Sequence, residues 1–85
     1  MEIIFSDHAL DDLGYWKQTQ NNKILQRIRV LIEDIEASPF RGIGKPEPLK
    51  HNYAGMWSRR INKTHRIIYE VSSRQIIIHA LREHY

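Results

Sequence analysis

The sequence predicts an α+β fold, a mainly antiparallel β-sheet packed against two N-terminal α-helices. Three observations carry that expectation. Apolar residues recur at helical spacing between about residues 7 and 35, the period changes to alternation after Gly44, and short polar runs of hairpin length separate the alternating stretches. With 85 residues and 41% hydrophobic side chains there is material for one core, so residues 1–85 are expected to form a single domain.

The elements follow in chain order. Glu2-Ile3-Ile4-Phe5 is a short β-prone run, and Ser6 is a good N-cap for a helix beginning near Asp7, whose carboxylate favours the positive helix end. Ala9, Leu10, Leu13 and Trp16 describe its apolar face, with Asp11, Asp12 and Lys17 on the wet one. After a polar break at Gln18 to Asn22, Ile24, Ile28, Leu31 and Ile35 form a second stripe, widened by Leu25 and Ile32. Pro39, Gly42 and Gly44 end it.

Beyond Gly44, Met56 to Ile61, Arg66 to Val71 and Gln75 to Leu81 read as three strands. Asn62-Lys63-Thr64 and Ser72-Ser73-Arg74 between them are hairpin turns, which makes the three an antiparallel meander. Lys45 to Lys50, held extended by Pro46 and Pro48, suits a further strand at an edge, where proline is tolerated. Period two puts Arg60 on a side with Ser58, and Arg66 with Ile68 and Glu70, so two arginines are expected to meet across a hairpin.

Charge separates the two halves. Residues 1–44 carry five basic and seven acidic side chains, whereas residues 45–85 carry eight basic and three acidic ones together with four of the five histidines. The second half is the expected anion-binding face, open on the side of the sheet that helices leave uncovered. Absence of cysteine excludes disulfides, thiolate catalysis and Cys-based metal sites. No apolar run approaches the roughly 20 residues of a membrane span, and the acidic opening Met1-Glu2-Ile3-Ile4 does not resemble a signal peptide, so a cytoplasmic protein without membrane contact is expected. Gly42-Ile43-Gly44-Lys45 lacks the spacing of a phosphate loop, no HExxH or nucleophile-elbow sequence occurs, and neither a metal nor another cofactor is expected.

What remains is a set of polar residues. Glu47 is one of three acids in a basic half and its backbone is stiffened by proline on both sides. Singly, it also reads as a solvated loop carboxylate, Arg66 as an exposed arginine, and His84-Tyr85 as a frayed tail. Together they suit cleavage of RNA by attack of a ribose 2′-hydroxyl on its own phosphodiester, which needs a base, a cationic clamp and an acid but no metal. In that reading Glu47 is the base, Arg66 with Arg60 and Lys50 the clamp, His84 the acid, and Tyr85 stacks on or orients a nucleobase. Any basic protein with a histidine supplies a similar set.

Four segments in order narrow the choice. Gly44-Lys45-Pro46-Glu47-Pro48-Leu49-Lys50, Trp57-Ser58-Arg59-Arg60-Ile61, His65-Arg66-Ile67-Ile68-Tyr69 and His84-Tyr85 closely resemble the Txe/YoeB toxins of bacterial toxin–antitoxin systems, over essentially the whole chain. Asp11-Asp12 with Tyr15-Trp16, and Ser38-Pro39-Phe40, belong to the same pattern. The resemblance implies a RelE-like (microbial RNase-like) α+β fold and a ribosome-dependent endoribonuclease that cuts messenger RNA in the ribosomal A site and so inhibits translation. It implies Glu47 as general base, Arg66 as the phosphate-stabilising arginine, His84 as general acid and Tyr85 as the terminal tyrosine of the site. Lys45, Lys50, Arg59 and Arg60 are the expected RNA contacts. A YefM-type antitoxin, the ribosome and messenger RNA are the implied partners, and a homodimer the implied assembly. The alternative reading is a noncatalytic RNA- or ribosome-binding module that blocks translation by occupancy, and whole or cut messages separate the two.

Overall fold

One residue joins the first strand to the first helix. In a computed structural model describing residues 1–83, β1 (Glu2–Phe5) ends at Ser6, whose hydroxyl accepts from the Ala9 N–H at 3.1 Å and caps α1 (Asp7–Gln18). The Asn21 side chain caps α2 (Asn22–Ala37) by accepting from the Ile24 N–H, and Ile24, Ile28, Leu31 and Ile35 are buried along one face. The face of α1 differs from the expected one. Leu10 is 51% exposed, while Asp12, read as wet, is buried in line with Ala9 and Trp16.

A two-residue strand β2 (Glu47–Pro48), a 3₁₀ turn at His51–Tyr53, and strands β3 (Trp57–Arg60), β4 (Arg66–Ser72) and β5 (Gln75–Glu83) follow. The sheet order is β1-β5-β4-β3-β2. The expected meander and proline-flanked edge strand are present, but β1 returns to lie parallel to β5, Glu2 to Phe5 against Gln75 to Ile78. Both helices cover one face, where Leu31, Ile35, Ile67, Ile76, Ile78 and Leu81 lose essentially all solvent contact. A fully buried aliphatic side chain of this size contributes about 1.5–3 kcal/mol. Among the described residues no helix is long and apolar enough to cross a membrane.

β5 runs on past the end of β1, and its bare edge there is satisfied by side chains from the first helix region. The Ser6 hydroxyl donates to the His79 carbonyl, Asp12 Oδ2 accepts from the Leu81 N–H at 2.9 Å, and Trp16 Nε1 donates to the Leu81 carbonyl at 2.9 Å. Register shifts in the β4–β5 pair fall in this same stretch of β5.

Arg59 was expected to contact RNA, and the structure corrects that. It is fully buried on the helix side of β3, and all five guanidinium N–H groups are accounted for. Nε donates to the Tyr69 hydroxyl, Nη1 to Asp34 Oδ2 (2.5 Å) and the Ile43 carbonyl, and Nη2 to the Ser38 (2.6 Å) and Arg41 carbonyls. Tyr69 in turn donates to the Pro39 carbonyl at 2.6 Å. A guanidinium with no free donor and no solvent access cannot receive a phosphate; it ties the loop after α2 to the sheet instead. Two glycines let that loop approach. At Gly42 (φ +130°) a Cβ would lie 2.0 Å from Asp34 Oδ2, and at Gly44 (φ +79°) 2.9 Å from Leu31 Cδ2.

Candidate active site on the open sheet face

The face away from the helices carries most of the other candidate residues. Cross-strand partners project to one side, so two rows can be read from the register. Glu47 pairs with Ser58, Ser58 with Ile68 and Ile68 with Ala80; two residues further along β3, Arg60 pairs with Arg66 and Arg66 with Glu83. The meeting of two arginines expected from the alternation is present. With strands about 4.8 Å apart and about 3.3 Å per residue, the backbones of Glu47 and Arg66 are about 12 Å apart. A glutamate and an arginine reaching toward each other over that span leave room for one phosphodiester.

Each position has a local cause. Pro46 and Pro48 fix φ on either side of Glu47, and Lys45 before them holds φ +53°, so the carboxylate stands on a stiff, exposed edge. Leu49 anchors that edge: it is 7% exposed, its N–H donates to the Met56 carbonyl, and it packs on Ile68 and Ala80 in a small second core. Lys50 follows, exposed, at the start of the 3₁₀ turn. The β3–β4 turn is tied by Asn62 Oδ1, which accepts from the Thr64 and His65 N–H groups, setting Arg66 at the first position of β4.

Electrostatically the face is uncompensated. The Glu47, Lys45, Lys50, Arg60 and Arg66 side chains make no ion pair or hydrogen bond among the described residues, in contrast to Arg59–Asp34, Glu70–His79 (2.8 Å) and His8–Asp12 (3.4 Å). Two unpaired guanidiniums held side by side repel each other, and an anion between them relieves that cost. His84 and Tyr85 lie outside the described residues. β5, held at Leu81 by Asp12 and Trp16, reaches Glu83, the residue before them.

Residues 5–85 match the family of YoeB-like toxins of bacterial type II toxin–antitoxin systems. The chain belongs to the YoeB toxin family. It is 47% identical to Toxin YoeB of Escherichia coli K12 over the full length of both chains. Among solved structures it superposes on the YoeB/ParE toxin from Agrobacterium tumefaciens with a TM-score of 0.95, at 38% identity and complete coverage of both. It superposes on the toxin of a heterotetrameric YoeB–YefM complex from Staphylococcus aureus with a TM-score of 0.89, at 40% identity, covering all of this chain and 98% of that one. The fold is therefore the RelE-like α+β fold of YoeB toxins, and the general role of this YoeB-family chain is that of a toxin in a type II system.

Two features of this YoeB-family chain were not read from the sequence. Asp12 serves β5 rather than solvent, and its place three residues after Ala9 and four before Trp16 on one helical face was the available signal, since 9, 12 and 16 share a stripe. The Glu70–His79 pair joins neighbouring strands on the open face, which only the register reveals.

Proposed function

We propose that the chain is a metal-independent endoribonuclease that cuts messenger RNA in the ribosomal A site. The supporting observation is the uncompensated row of the open face, with exposed Glu47 on a stiff edge across from paired Arg60 and Arg66. In the proposed step Glu47 takes the proton of a ribose 2′-hydroxyl as its oxygen attacks phosphorus. Arg66 and Arg60, with Lys50 and Lys45 adding positive charge around the site, stabilise the pentacoordinate phosphorane. The P–O5′ bond then breaks as His84 protonates the leaving oxygen, giving a 2′,3′-cyclic phosphate and a 5′-hydroxyl. Tyr85 stacks on or orients a base.

The proposal extends to the setting: a cytoplasmic homodimer neutralised by a YefM-type antitoxin, in keeping with the Staphylococcus aureus complex. Primer extension on a defined message in a purified translation system, comparing wild type with His84→Gln, tests it. Discrete cuts at A-site codons that vanish in the variant are expected. Arrested synthesis on intact messages would favour occupancy and remove the catalytic roles.

A further inference from the structure

Next to the arginine row the open face holds a cavity of about 260 Å³ lined by His8, Tyr53, Met56, Ile68, His79, Ala80 and Glu83. Its floor is apolar: Ile68 and Ala80 are 1% and 5% exposed, with Met56 packed against them. Its polar side chains are Glu83, His79, His8 and Tyr53, of which the Glu83 carboxylate is an acceptor only. His79 is held by Glu70 at 2.8 Å.

We propose that this cavity seats one nucleobase of the RNA, next to the phosphate held by Arg60 and Arg66, and prefers bases that carry an amino group. The assignment rests on the RNA-cleaving reading for its ligand, and three arguments support it. A flat apolar floor with polar groups at the rim suits stacking of a base. Carboxylates repel a phosphate, so the backbone belongs to the arginine row and the neutral base to the cavity. The two rows are continuous, since Ile68 is both the floor of the cavity and two strands from Glu47, about 10 Å by strand spacing. The Glu83 carboxylate at the rim takes the N1–H and amino group of guanine, or the amino groups of adenine and cytosine. The two carbonyls of uracil meet that carboxylate unfavourably.

The test is a methyl NMR titration of the full-length protein with AMP, GMP, CMP and UMP in turn. Shifts of the Ile68 and Ala80 methyls are expected, with UMP on the order of fivefold weaker than GMP, and Glu83→Ala should narrow that gap. Unmoved methyls, or four equal affinities unaffected by the variant, would overturn the assignment. Primer extension separates this from the parent reading. Cut messages with unmoved methyls leave the nuclease standing without this subsite, whereas shifted methyls with uncut messages keep the base site and remove the nuclease.

Discussion

Arg59 and Arg60 are neighbours on β3 with opposite environments: the first is sealed beneath the helices with every donor engaged, the second is exposed opposite Arg66. Their substitutions should separate accordingly. Arg59→Met, which leaves Asp34 and three loop carbonyls without their donor, is expected to destabilise by about 3–5 kcal/mol. Arg60→Ala is expected within about 0.5 kcal/mol of wild type yet should lose RNA cleavage. Urea denaturation and primer extension on both variants measure the two effects.

Substitution at the proposed chemical groups should spare the fold. Glu47→Gln is expected to lower the single-turnover cleavage rate by about 10²- to 10⁴-fold, with an unchanged melting temperature because Glu47 is exposed and unpaired. Arg66→Lys keeps the charge but loses the planar fork, and should also cut slowly. Near-wild-type cleavage by Glu47→Gln would remove it from the mechanism.

The loop clamp predicts the shape of the pH profile of stability. The hydrogen bond from Arg59, with the Ile43 N–H, holds the Asp34 carboxyl below its ordinary range. A depressed folded value means a contribution present above about pH 4 and lost as pH falls through the lower folded value. Burial pushes the Tyr69 hydroxyl up, against the opposing Arg59 contact, so its contribution holds below about pH 10 and fades above it. In denaturation followed across pH, Asp34→Asn should flatten the acid limb and leave the alkaline limb in place.

Three glycines divide by sign. Gly14 lies in α1 with nothing within 4 Å of an added Cβ, so Gly14→Ala should stabilise by about 0.5–1 kcal/mol. Gly42→Ala would drive a methyl onto Asp34 and Gly44→Ala one onto Leu31, both at positive φ, and each should destabilise by more than about 1 kcal/mol. Thermal melts of the three variants decide it.

Much of this was legible in the chain. The stripe Ile24, Ile28, Leu31, Ile35 and the alternation of β3 to β5 reflect local geometry, and a local pattern survives folding. Arg59 was legible too, because period two sets it with Trp57 and Ile61 and opposite Arg60; weighing it by charge alone obscured that. The parallel pairing of β1 with β5 was not legible, since four apolar residues are compatible with either edge of the sheet and only the docking of α1 on β5 selects one. Glu47 and Arg66 were singled out by their motifs and the register sets them on one face, while the cavity depends on β5 irregularities that no periodicity encodes.

The parallel pairing also sets a timetable. Glu2 and its partner Gln75 are 73 positions apart, so β1 and α1 have no sheet to join until β5 has been synthesised. Non-local closure of this kind slows folding. The sheet that carries the proposed site is therefore complete only once β5, next to last in the sheet order and last in the chain among the described strands, has joined it.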